Sequence, residues 1–267
     1  MSTYKNKLTV SLTIDFDAIS GFLSANCTWP TEISRGEYGP NEGIRRIINL
    51  LKKNNIVGTC FIPGHTAENY TDQCKMIRDS GFEIGHHGYI HEAPKELSLD
   101  GQKIVIEKGL HALDKHLGVK PVGYRAPAFL QTKDTYRILL EHGFEYESSE
   151  GAKDSPYFIN VDGQKLVEVP SKVILIDSLY FLNHSSNRYF PPPTDPSVAQ
   201  KIWEEEFTGM YESDENLCFV HVIHPFITGH FSRLRMYERF INFLKNHTDV
   251  SFKTLRDISR NFIAKNP

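Results

Sequence analysis

No stretch of this chain approaches the about 20 consecutive apolar residues that a membrane-spanning helix needs, so no membrane partner is expected. No basic run and no patch of interleaved aromatic and basic residues occurs, and with a formal net charge of -3 nothing favours a nucleic-acid partner. Residues 1–7 are polar and run straight into a strand-like stretch. They lack the apolar segment of about 7–15 residues that a secretory signal places after its charged start, and the reading expects a cytoplasmic protein. Cysteine is scarce: Cys27, Cys60, Cys74 and Cys218 are scattered and form no CxxC pair. They are expected to be four reduced thiols rather than a disulfide framework or a cysteine metal site. No linker, low-complexity stretch or internal repeat is visible.

What is present is the balance of a globular protein able to bury a core, with 40% hydrophobic and 24% charged residues among 267. That length allows one large α/β barrel or two ordinary domains. Short β-branched runs alternate with longer amphipathic segments. Residues 8–16 (LTVSLTIDF) read as a strand, and 43–53 places Ile44, Ile47, Ile48 and Leu51 on one helical face. Strands are then expected at 57–62, 82–85, 122–125, 144–147, 166–169, 217–223 and 250–252. Helices are expected at 69–80, 99–117, 132–142 and 197–211, along the stripe Leu234, Tyr237, Phe240, Ile241 and Leu244, and at 254–264. The 99–117 helix carries Ile104, Ile106, Leu110, Leu113 and Leu117. Such alternation implies parallel strands with crossover helices, and seven or eight units predict one deformed (β/α) barrel domain over residues 1–267. Residues 151–196, with Pro191-Pro192-Pro193, read as a long loop excursion over one end.

Functional residues of a parallel barrel gather at the C-terminal ends of its strands. Asp15 and Asp17 end the first strand, and period-2 alternation points both the same way. Two carboxylates on one side of an apolar strand call for a cation or a proton, although a strand running out into a polar loop would explain one of them. His87 and His91, spaced i, i+4 after the third strand, could share a metal ion from one helical turn. His86 lacks that relation to His91. Arg125, in Tyr124-Arg125-Ala126-Pro127, could neutralise a buried carboxylate or form an ordinary surface ion pair. His221 and His224 lie on opposite faces of the 217–223 strand, so at most one lines the site, and His224 is at the strand's end.

The order Thr-x-Asp-x-Asp, His-x-x-x-His, Arg-x-Pro, a later Asp and a final His-Pro resembles the polysaccharide deacetylase family (NodB homology, carbohydrate esterase family 4). The resemblance runs from residue 8 to residue 262. Asp17-Ala18, Ser34-Arg35-Gly36, Pro63-Gly64-His65 and Glu168-Val169-Pro170 look closest to the branch of peptidoglycan deacetylase-like, allantoinase-like and cyclic imidase-like proteins. The resemblance implies metal-dependent hydrolysis of non-peptide carbon–nitrogen bonds. Asp17, His87 and His91 match the ligands of one divalent ion, zinc first, with cobalt or iron as alternatives. Asp15 matches the general base and Arg125 its partner. His224 matches the general acid and Asp177 the carboxylate that tunes it, while the backbone N–H of Ala128 is a candidate oxyanion donor. The allantoinase relatives have lost part of the metal triad, and this chain keeps all three residues.

With a cytoplasmic location expected, a small amide, cyclic imide or N-acetyl amino sugar becomes the expected substrate, held in a closed pocket capped by residues 151–196. A chitin- or peptidoglycan-type polymer is the alternative, and a non-catalytic sugar- or metabolite-binding barrel is the reading of another class. The resemblance also implies a homo-oligomer. Tyr180, Phe181, Tyr189 and Phe190 could pack on a neighbouring subunit or cover the chain's own barrel mouth.

Overall fold

The computed structural model describes residues 8–182, 194–213 and 215–267. Its strands are β1 (Leu8–Asp15), β2 (Thr59–Ile62), β3 (Glu83–His86), β4 (Gly123–Tyr124), β5 (Tyr146–Glu147), β6 (Tyr157–Val161), β7 (Gln164–Glu168), β8 (Cys218–Ile223) and β9 (Val250–Phe252). They form one curled sheet in the order β6-β7-β5-β4-β3-β2-β1-β8, with β9 pairing the start of β1. Every ladder is parallel except β6–β7. Among the described residues no ladder joins the two ends, and a single parallel bridge, Ile176 with Val222, extends the β8 edge. This is the deformed barrel that the strand–helix alternation predicts. None of the helices among the described residues is long and apolar enough to cross a membrane.

The alternation within β1 divides the core. Leu8, Val10, Leu12 and Ile14 face the surrounding helices, packed with Ile47, Ile48, Trp203 and Phe240. Ser11, Thr13 and Asp15 are the intervening residues, all buried. A separate cluster of Phe61, Tyr146, Val167 and Val220 is closed by Leu255 and Ile258 of the last helix, Leu255–Lys265. The start of that helix donates backbone N–H groups to Thr59 Oγ1 (2.9 Å) and Glu83 Oε2 (3.0 Å). Helix Leu99–Leu117 begins where Ser98 accepts from the Gly101 N–H and ends at Gly118 in the left-handed conformation.

Four local expectations are corrected. Ile104 is 52% exposed, because at about 100° per residue it lies nearly opposite Ile106. The helix expected over 69–80 is Thr71–Asp79, and Asn69 instead ends a separate helix, Gly64–Asn69, with Tyr70 between them at a non-helical φ of -128°. Residues 151–196 are no plain loop: they hold the β6–β7 hairpin, a turn over Val173–Leu175 and the short helix Asp177–Phe181. The hairpin turns at Asp162-Gly163, both with positive φ, the backbone that a tight two-residue turn requires. Finally, His87 and His91 do not share a helical turn. The chain from 87 to 93 is irregular, with Gly88 at φ +72° and His91 at φ +69°, so two left-handed residues supply the proximity that the spacing attributed to a helix.

Candidate active site

The strand ends bring the predicted site residues to one end of the sheet. Asp15 ends β1 in register with Phe61 of β2, and Asp17 follows two residues on. His87 follows β3, Arg125 follows β4 and His224 follows β8. Asp17, His87, His91 and His224 line one cavity of about 780 Å³ together with Asp15 and Ala128. Its walls are largely apolar, with Phe22, Trp29, Phe129, Val173, Leu179 and Phe226 among them. His221 points the other way and packs on Trp203 at 4.3 Å between ring centroids.

Asp17, His87 and His91 form the only group of this kind found among the described residues, with ligand atoms all within 4.8 Å of one another. The Nε2 atoms of His87 and His91 lie 3.5 and 3.7 Å from the Asp17 carboxylate. Asp17 Oδ1 is buried and has no hydrogen-bond partner. An unpaired carboxylate oxygen facing two imidazoles suits a cation. His87 Nδ1 lies 2.8 Å from the Arg125 carbonyl, so the proton sits on Nδ1 and the Nε2 lone pair faces Asp17. Burial lowers the pKa of His87 and pushes His91 down to about 4, against the pull of nearby carboxylates. Both rings are therefore neutral at pH 7, the form in which imidazole binds a metal. Burial also raises the Asp17 carboxyl, partly offset by His87 and His224. The Tyr89 and Ile90 N–H groups both donate to Glu92 Oε2 (3.1 and 2.7 Å), which shapes the turn carrying His91.

Asp15 lies on one side of this cluster. Burial alone would raise its pKa, but the Arg125 guanidinium, with His87 and His224, overrides that and holds it below the usual carboxylate range. Arg125 is fully buried and donates to Asp15 Oδ1 (2.8 Å), Thr13 Oγ1 (2.9 Å), the Ser148 carbonyl (2.9 Å), Ser148 Oγ (3.1 Å) and Ser171 Oγ (3.0 Å). Its face lies over the Phe61 ring at 4.3 Å. Of these partners only Thr13 and Asp15 belong to a sequence motif. Ser148 and Ser171 come from distant strand ends and carry no local signal.

His224 lies on the other side, its Nε2 3.7 Å from Asp17 Oδ2. Its Nδ1 is 2.7 Å from Asp177 Oδ1, and its backbone N–H donates to Asp177 Oδ2 at 2.8 Å. Thr228 Oγ1 donates to the same Oδ2 at 2.6 Å, a contact with no sequence signal. Burial pulls the His224 pKa down, but Asp177 outweighs it through charge and hydrogen bond, with help from Asp17 and Asp15, and lifts it to about 9. Ala128 and Phe129 at the cavity wall both hold positive φ, 55° and 60°. The adjoining Ala126 N–H is fixed by Ser149 Oγ at 2.8 Å.

Residues 37–147 match the polysaccharide deacetylase family model, a span that includes His87, His91 and Arg125. A Helicobacter pylori peptidoglycan deacetylase is 31% identical, with 98% of each chain covered. A Mycobacterium smegmatis protein solved as a candidate polysaccharide deacetylase is 30% identical and superposes with a TM-score of 0.93, over 99% of this chain and 93% of that one. The Puue allantoinase structure shares the fold at a TM-score of 0.83 and 21% identity, over 100% of this chain and 93% of that one. The full-length likeness to the Helicobacter enzyme and the shared fold agree: the chain belongs to the polysaccharide deacetylase family, hydrolases of carbon–nitrogen bonds other than peptide bonds.

Proposed function

We propose that this protein is a metal-dependent amidohydrolase whose substrate is a small amide, cyclic imide or N-acetyl amino sugar. One observation carries the reading: a carboxylate held as an anion and an imidazole held as a cation flank a three-ligand cluster at the floor of one cavity. Two titratable groups with pKa values driven apart are what paired base and acid catalysis needs. Asp17, His87 and His91 would hold the ion, zinc first and cobalt or iron next. A divalent ion there supplies a polarised amide carbonyl and a more acidic water.

The chain's own residues do the rest. Asp15, kept ionised by Arg125, takes the proton from the attacking water. His224, kept protonated by Asp177, donates from Nε2 to the departing nitrogen, which is a poor leaving group without it. The Ala128 N–H is the proposed donor to the developing oxyanion. The apolar walls exclude water and suit one small molecule rather than an extended chain.

A polymer substrate is the second reading, favoured by the Helicobacter relative's name and by Trp29, which lines the cavity yet is 71% exposed. Turnover of small amides, cyclic imides, ureides and N-acetylglucosamine oligomers by metal-free and metal-reloaded protein tests both. Metal-dependent activity on a small amide or imide supports the proposal. Efficient deacetylation of oligomers with none on small amides overturns it. Self-association is proposed from family likeness, and light scattering at the mass of one 30.6 kDa chain refutes it. Of the aromatics considered for that contact, Phe181 is buried and Tyr180 packs on Trp203, while Tyr189 and Phe190 lie outside the described residues.

A further inference from the structure

Beside the catalytic cavity lies a second one of about 430 Å³, lined by Ser34, Arg35 and Tyr38 on one side and Phe226, His230 and Arg233 on another. Phe226 lines both cavities, and its ring lies 5.9 Å from the His224 imidazole. Leu182 lines both as well, so the two spaces are neighbours that share these two side chains.

The charge in this second cavity is out of balance. Arg35 is paired with Glu32 at 2.9 Å, and Arg46, behind Tyr38, is paired with Glu42 at 2.6 Å. Arg233 forms no ion pair among the described residues. It donates to the Ile227 carbonyl at 3.0 Å and lies 4.7 Å over the Phe181 ring. Asp177, whose charge reaches Arg233, is already bonded to His224 and Thr228. The His230 ring stacks on Tyr38 at 4.0 Å, where the cations Arg233, Arg46 and Arg35 all act on it. A half-buried guanidinium that forms no ion pair among the described residues, beside other cations and against apolar walls, favours an oxyanion, because low-dielectric surroundings leave its field poorly screened.

We propose that this pocket is an oxyanion subsite, with Arg233 the principal ligand and Arg35 and Ser34 at its rim, and that the anion is a carboxylate or phosphate carried by the substrate. Resting on the small-molecule reading above, this narrows the substrate class to amides bearing an anionic group on the far side of Phe226 and Leu182 from the metal-ligand cluster. Ser34-Arg35-Gly36 thereby gains a role in recognition. Gly36 lets its helix, Pro30–Tyr38, approach closely, since a Cβ there would meet the Ala18 carbonyl at 2.7 Å.

The test is calorimetric titration of the full chain with succinate and with inorganic phosphate, for wild type, Arg233→Gln and Arg35→Gln. Both variants are first checked for unchanged metal content and circular dichroism. Arg35 is 40% exposed, so its variant keeps the test open if Arg233→Gln misfolds. Expected are saturable binding to wild type, a loss of tenfold or more in Arg233→Gln and a smaller loss in Arg35→Gln. No binding, or equal binding by all three proteins, overturns the subsite. A tighter succinate complex assigns a carboxylate, and a tighter phosphate complex a phosphate ester.

Kinetics on an amide carrying the favoured anion and on its neutral analogue then test the link to catalysis. Expected is a KM at least tenfold lower for the anionic compound, a difference that Arg233→Gln removes while kcat stays within about twofold. Anion binding without any such preference overturns the substrate assignment. Anion binding with no amide turned over leaves the subsite standing and sinks the small-amide reading instead.

Discussion

Replacing Asp177 by asparagine should disarm His224 while leaving the site's shape intact. Asp177 Oδ2 accepts two donors, the His224 N–H and Thr228 Oγ1, whereas Oδ1 faces His224 Nδ1 alone. The asparagine oxygen will keep the two donors, so its NH2 group will face Nδ1. An imidazolium cannot accept that contact, and the ring is forced into the neutral tautomer with its proton on Nε2. In the native chain, burial pulls His224 down but Asp177 lifts it from 6.5 to about 9. That corresponds to a preference for the cation of about 3 kcal/mol, at roughly 1.4 kcal/mol per tenfold.

Without the carboxylate, burial pulls the pKa back down, opposed only by the weaker pull of Asp17 and Asp15. Each unit by which the pKa then falls removes up to tenfold of the protonated fraction at alkaline pH, so kcat/KM at pH 8 should drop by roughly tenfold or more. A cation bound at the neighbouring cluster cancels the support of Asp17 in both proteins alike, so the comparison stands. The assay is kcat/KM against pH on metal-replete protein, with elemental analysis. The alkaline limb should move to clearly lower pH in the variant at unchanged metal content. An alkaline limb at the same pH in both proteins would refute the assignment of His224 as the acid.

Three other perturbations have equally definite outcomes. His91→Ala removes one of three ligands and should strip most bound metal and most activity; full metal content in the purified variant would show the triad to be wrong. Asp15→Asn should lower the rate by about 10²–10⁴-fold with metal content near normal. Because it leaves Arg125 buried without its counter-charge, it should also cost up to about 3–5 kcal/mol in denaturant unfolding, and nearly native turnover would sink the role of Asp15. His221 is buried without hydrogen-bond partners, and burial pushes it down to about 3; burial pushes His86, which is hydrogen-bonded, down to about 3 as well. Below the unfolded value of about 6.5 the unfolded chain binds protons that the folded chain refuses, so stability rises with pH from about 3 to 6.5 and falls on acidification, each histidine costing about 2 kcal/mol at pH 5. His221→Phe should recover that amount at pH 5 relative to pH 7.5 in urea titrations, and an unchanged difference would refute it.

Strand positions were legible because β1 and β8 carry dense β-branched and aromatic runs, and helix ends because Ser98, Gly118 and Thr132 cap by local rules. The strand expected at 166–169 is β7, but β6 and the turn joining it were missed although Asp162-Gly163 is their local signal, since proline-rich sequence further along drew 151–196 into one loop excursion. The ends of strands are local information, which is why Asp15, Asp17, His87, Arg125 and His224 could be named. The turn that brings His91 beside His87 depends on two left-handed residues and on Glu92, which spacing alone does not reveal. The serines around Arg125 and the apolar cavity walls are tertiary, assembled from segments far apart in sequence.

Arg125 has a consequence beyond chemistry. Its guanidinium joins Thr13 and Asp15 of β1, Ser148 just past β5 and Ser171 beyond β7, crossing the inside of the curled sheet. A group that ties three strands together cannot let go of one without exposing an unpaired buried charge. Opening at this end of the sheet is therefore expected to proceed as one cooperative event, with Asp15 among the last residues released. Substitutions at Asp15, Arg125, Ser148 or Ser171 will confound lost turnover with lost folding. At the His224 end the carboxylate sits on a short helix held to β8 by the Ile176–Val222 bridge and by its bonds to His224 and Thr228, outside that three-strand tie, and there catalysis can be dissected without breaking it.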